Sequence, residues 1–78
     1  MSIYIYDLSA DNKKNYNRVK RMFYYYLNQI LTSNVKIISK STLIVPENME
    51  PIFDEFFMKW DGKISVYKIH TSNFEKIV

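Results

Sequence analysis

The chain contains no cysteine, and at 78 residues that absence constrains the fold more than any other feature. Without thiols there is no disulfide framework and no zinc ribbon or finger to staple a small core. Packing alone, or a partner subunit, must hold it together. A domain of this size buries only about 60% of its unfolded surface, so residues 1–78 are read as a single domain. Hydrophobic residues make up 47% of the chain and aromatics 17%, with one Gly and two Pro. That composition supplies a core and excludes a disordered or low-complexity chain.

The longest apolar run, Met22 to Leu27, is six residues and half tyrosine, well short of the roughly 20 needed to span a bilayer. The opening Met1-Ser2-Ile3-Tyr4-Ile5-Tyr6-Asp7 has no basic region and meets an acid at its seventh position. Neither a signal peptide nor a membrane contact is expected, and the protein is read as cytoplasmic.

The formal net charge of +3 is unevenly distributed. Up to residue 40, Lys13, Lys14, Arg18, Lys20, Arg21, Lys36 and Lys40 stand against Asp7 and Asp11 alone. From residue 41, Lys59, Lys63, Lys68 and Lys76 face Glu47, Glu50, Asp54, Glu55, Asp61 and Glu75. A basic first half and a mildly acidic second half suggest a side that faces a polyanion, because each phosphate neutralised by Lys or Arg releases counterions. A merely solvated helix face is the competing reading.

Ser2 to Asp7 alternates Ile3, Ile5 and Asp7 with Tyr4 and Tyr6, which predicts a strand buried on both faces. Leu8-Ser9-Ala10-Asp11 is a turn in which Ser9 or Asp11 can cap the next helix. From Asn12 to about Leu31, Tyr16, Val19, Phe23, Tyr26 or Leu27, and Ile30 recur at helical spacing and predict one core stripe. Lys13, Lys14, Arg18, Lys20 and Arg21 form a basic ridge on the other side, continuing into Tyr24 and Tyr25. Val35 to Val45 is read as two short strands interrupted at Ser39-Lys40-Ser41, with one long bent strand as the alternative. Pro46 ends this segment, and Glu47, Asn48, Glu50 and Pro51 open a second helix with Ile52, Phe53, Phe56, Phe57 and Trp60 on its apolar face. Asp61-Gly62 stops that helix and Lys63 to Ile69 is a final strand. Residues 70–78 form a tail, of which Phe74 to Val78 is apolar enough to add a strand or dock.

The order strand, helix, strand, strand, helix, strand predicts an α+β, ferredoxin-like βαββαβ fold. Two helices then cover one face of a four-stranded antiparallel sheet and leave the other face open. That open face is where a twin subunit, making a homodimer, or nucleic acid is expected to sit, since nothing else covers its apolar side chains.

Asp7 is the first candidate for chemistry, as an acid at the carboxyl end of a buried strand from which it can reach solvent and a hard cation. Magnesium keeps several waters and needs only one or two carboxylates, which two Asp7 side chains across a twofold axis would supply. A turn acceptor or helix cap is the competing role. His70, the only histidine, falls at the far end of the last strand, roughly 20 Å from Asp7 at about 3.3 Å per residue, and is assigned to structure or surface. No serine or cysteine triad can be built, and the acids of the second helix are read as solvated caps.

Tyr6-Asp7-Leu8-Ser9, then Asp11-Asn12-Lys13-Lys14, then Arg18-Val19 and Arg21 resemble the opening of the CRISPR-associated Cas-two family, the small member of the spacer-acquisition pair. There a hydrophobic strand ends in a Tyr-Asp-Ile-Ser-like element and leads into Asp-x-Lys-Arg and Arg-x-x-Val on the first helix. Length, element order and a short apolar tail extend the resemblance over nearly the whole chain, while its motif content lies in residues 3–21. The resemblance implies a homodimer that bridges two Cas-one integrase subunits and holds protospacer duplex DNA during spacer acquisition. It also implies a magnesium-dependent endonuclease of RNA or DNA, a hydrolase in which the strand-end acid, here Asp7, is catalytic residue and metal ligand. Enzyme and scaffold both stand as readings. The family's second-strand signature, roughly Gln-x-Ser-Val-Phe-Glu, has no counterpart in Ser39-Lys40-Ser41-Thr42-Leu43-Ile44.

Nonspecific phosphate contacts from Lys13, Lys14, Arg18, Lys20 and Arg21 are the expected mode of nucleic-acid binding. The alternative is a small ferredoxin-like assembly or nucleic-acid-binding domain without catalysis. An RNA-recognition module is disfavoured, because its Arg-Gly-Phe-like strand signature is missing and Gly62 stands in Asp61-Gly62-Lys63-Ile64 instead.

Overall fold

Alternation of Ser2, Tyr4 and Tyr6 with Ile3, Ile5 and Asp7 produces β1, Ser2–Leu8, in the computed structural model of the chain. The structure describes residues 1–8, 13–73 and 75–78, with the backbone alone at positions 13 and 14. The expected cap at Ser9 or Asp11 lies outside the described residues. α1 follows as Lys13–Ile30, then β2, Lys36–Ser39, and β3, Thr42–Val45. A 3₁₀ turn, Glu47–Met49, leads into α2, Glu50–Met58, and β4 is Ile64–His70.

The strands form one antiparallel sheet in the order β2-β3-β1-β4, which is the ferredoxin-like arrangement with β1 at the centre beside β3 and β4. Residues 35–45 are a hairpin and not one bent strand. Ordinary two-residue hairpin turns need φ > 0 to match the twist of their strands, yet no non-glycine residue among those described has positive φ. The pairing shifts by one residue between Ile37 and Ser39, a bulge that takes up the mismatch.

Both helices lie on the face of β1 that carries Tyr4 and Tyr6. Tyr6 meets Phe23 of α1 at a ring separation of 5.3 Å and Phe57 of α2 at 5.5 Å, while Tyr4 stacks on Phe57 at 5.3 Å. Phe23 is fully buried and also contacts Phe56 and Trp60. These rings join the helices to the sheet, with Leu27, Leu43, Val45 and Phe53 completing the core. Geometry decides the choice left open on α1: Leu27 is buried, while Tyr16 and Tyr26 are exposed. On α2 the predicted Ile52 is exposed as well. Pro51 occupies the first turn, where its missing N–H costs nothing. Gly62, at φ 84°, takes the left-handed turn that sends the chain from α2 into β4.

The other face of β1 is uncovered, which corrects the expectation of burial on both sides. Ile5 is 39% exposed and Asp7 is exposed, alongside exposed Tyr67 and Ile69 on β4. Residues 75–78 form no strand and are exposed. Among the described residues, no helix is long and apolar enough to cross a membrane.

Candidate nucleic-acid interface

Between Asp11 and Glu47 the sequence has seven basic residues and no acidic one, and α1 occupies half of that stretch. Burying Phe23 and Leu27 turns the opposite side of the helix outward, because residues three, four and seven apart share a face. Arg18, Arg21 and Tyr25 therefore follow one another along the exposed side, all open to solvent. One shallow groove beside this line is lined by Arg18, Arg21, Met22, Tyr25 and Tyr26. A second, on its other flank, is lined by Asn17, Lys20, Arg21, Tyr24, Tyr25 and Asn28. Arg21 and Tyr25 belong to both. Lys13 and Lys14 begin the same helix, and their side chains lie outside the described residues.

The Tyr24 hydroxyl donates to the Lys40 carbonyl at 2.8 Å, tying the β2–β3 turn to α1. The backbone of exposed Lys40 is thereby held beside Tyr24, which lines the second groove. No spacing rule finds this contact, since it spans two elements whose relative position is set by the core. Lys20 also lies over the Tyr16 ring at 6.0 Å, an exposed cation–π contact.

Asp7 lies on a different face from Arg18, Lys20 and Arg21. It sits on the uncovered sheet face, paired across the sheet with Ser65 of β4. Among the described residues, no three His, Cys, Asp or Glu side chains come together in a way that could hold a metal ion. Asp7 thus presents one exposed carboxylate on that face. His70 is at the other end of β4, opposite Ser2, and so is as remote from Asp7 as its position in the strand requires.

What sequence reasoning missed is a polar cluster where β1, β4 and α2 meet. Ser2 Oγ donates to Glu50 Oε1 at 2.7 Å, and Tyr4 OH donates to Asp54 Oδ1 at 2.6 Å. Lys68 Nζ lies 3.0 Å from Glu50 Oε1 and 2.9 Å from Asp54 Oδ2. Glu50 is only 9% exposed, so it is no solvated cap. The Ser2 bond, and next the Lys68 bond, hold its carboxyl below the usual range. Burial pushes Asp54 up, but the bonds from Tyr4 and Lys68 outweigh it and hold this group low too. Lys68 is raised by its bonds to Asp54 and Glu50, and Tyr4 by burial and then by Asp54.

Ser2 and His70 meet, with Oγ and Nδ1 3.1 Å apart. They form no catalytic triad. The single hydroxyl proton goes to Glu50, so in this hydrogen-bond arrangement Nδ1 is the donor to Ser2. Ser2 is also wholly buried, which denies it a substrate.

Comparison with known proteins yields no matching family model, no matching curated protein and no matching solved structure.

Proposed function

We propose that this chain is a nucleic-acid-holding protein of the CRISPR spacer-acquisition type, which binds duplex DNA nonspecifically through the phosphate backbone. The observation that carries the reading is the acid-free basic surface of α1, to which the Tyr24–Lys40 hydrogen bond adds the β2–β3 turn. A polyanion is the partner such a surface suits, since Lys and Arg bind phosphates without reading base sequence. The assignment to spacer acquisition, and with it the bridging of Cas-one integrase subunits, rests on the resemblance over residues 3–21.

A homodimer through the uncovered sheet face belongs to the same proposal. Ile5, Tyr67 and Ile69 leave apolar surface in water there, and a second copy would remove it. Such a pairing would also give Asp7 a second carboxylate for magnesium. Holding the nucleic acid does not depend on that metal.

The test is binding to duplexes of unrelated sequence at several salt concentrations. Each phosphate contact contributes about 0.9 to the slope of log affinity against log salt on B-DNA. Replacing Arg18, Lys20 and Arg21 by alanine is expected to weaken binding to every duplex and to lower that slope by up to about 3. An unchanged slope would return the α1 surface to the role of a solvated helix face.

A further inference from the structure

Tyr25 has no place in the core, yet it stands at the centre of the basic surface. It is 62% exposed, and its one described ring contact is with Tyr26, whose ring lies 5.2 Å away at 80°. Tyr26 in turn leans on buried Trp60, with ring centroids 6.5 Å apart. The aromatic contacts thus run from the core outward through Tyr26 and end at Tyr25, most of whose surface is open. Arg21 lies one helical turn before it, about 6 Å along the axis, and Arg18 seven residues before it, about 10 Å. Arg21 and Tyr25 together line both of the grooves that flank the ridge.

A guanidinium serves a phosphate equally well whether the bases beyond it are paired or not. A tyrosine ring does not, because the bases inside a duplex already stack on one another and offer it no free face. Only an unpaired base can lie on Tyr25 while its neighbouring phosphates reach Arg21 and Arg18. No acid occurs anywhere on α1 to repel such a strand. We infer that Tyr25, flanked by Arg21 and Arg18, is a stacking platform for an unpaired base, so that this surface binds single-stranded nucleic acid in addition to duplex. The inference rests on the proposed phosphate-binding role of α1 and adds to it a means of telling unpaired from paired strands.

The test uses two labelled probes, an oligo-dT of about 15 nucleotides and a blunt duplex of about 15 base pairs, with affinity measured by fluorescence anisotropy at fixed salt. Tyr25→Ala is expected to weaken oligo-dT binding about tenfold or more, the loss expected for one base–aromatic stack, and to change duplex binding less than twofold. Tyr25→Phe keeps the ring and is expected to bind both probes like the parent chain. Equal effects of Tyr25→Ala on the two probes, or none on either, would overturn the stacking platform. A double Arg18→Ala, Arg21→Ala variant separates that failure from failure of the underlying reading, because loss of affinity for both probes upholds phosphate binding whatever Tyr25 does. If the parent chain binds neither probe, both ideas fall.

Discussion

Ser2 Oγ donates to Glu50 Oε1 at 2.7 Å, joining the first residue of β1 to the first residue of α2 across 48 positions of sequence. Both residues are buried, and a carboxylate so enclosed is tolerable only while its oxygens are satisfied. Ser2 supplies a neutral donor to one oxygen and Lys68 a charge to the same oxygen, 3.0 Å away. The contact therefore works as a clasp between the sheet and α2, held by charge as well as by packing.

Loosening the clasp should be measurable. Ser2→Ala removes a bond to a charged, buried acceptor and is expected to cost about 1.5–3 kcal/mol. Lys68→Met leaves Glu50 and Asp54 facing each other without a cation. Its cost should be about 1–3 kcal/mol, less than for a fully enclosed pair because Asp54 remains partly open to water. Urea unfolding checks both, and an unchanged midpoint for either variant would deny the clasp its role.

The same groups set the pH range of stability. Glu50 and Asp54 are held low in the folded chain, so they contribute fully above their unfolded values near about 4 and lose that contribution as pH falls through the folded ones. Lys68 and Tyr4 are raised, and Tyr6 is pushed up by burial to about 12. Their contribution is full below unfolded values near about 10 and is lost as pH rises toward the folded ones. Tm is expected to be level between about pH 5 and 9 and to fall on either side. In Lys68→Met the fall on the acid side should become shallower, and one as steep as in the parent chain would contradict the assignment.

Asp7 is exposed, so Asp7→Asn should leave stability within about 0.5 kcal/mol. Nucleic-acid binding through α1 should also persist. Cleavage that requires magnesium, if the purified parent chain has it, is expected to disappear in this variant. Robust cleavage by Asp7→Asn would remove this carboxylate from any catalytic account.

The uncovered sheet face leads to an assembly prediction. Light scattering at micromolar concentration is expected to find a dimer, with an interface of more than about 1,000 Å². Tyr67→Glu places a charge among Ile5, Ile69 and their counterparts and should shift the dimer to monomer while preserving the circular dichroism of the fold. A parent chain that is monomeric throughout would leave the face to another partner.

Local signals in the sequence determined the elements and their order. Alternation marked β1, the three-and-four spacing around Phe23 marked α1, Pro46 and Pro51 bracketed the entry to α2, and Asp61-Gly62 marked its exit. Each is a matter of backbone preference or of periodicity within one element, so no distant contact is needed to see it. The basic side of α1 was legible for the same reason. Tertiary packing alone decided which side chains of each pattern reach the core, so that Leu27 is inside and Tyr26 outside. It also decided that the Ile5 side of β1 stays uncovered, since both helices pack on Tyr4 and Tyr6. Glu50, read alone, is an ordinary acid in the first turn of a helix. Only the meeting of β1, β4 and α2 encloses it with Ser2 and Lys68, and only the docking of the hairpin brings Lys40 to Tyr24. Sequence periodicity describes one element at a time, whereas burial and ion pairing depend on what the neighbouring elements bring.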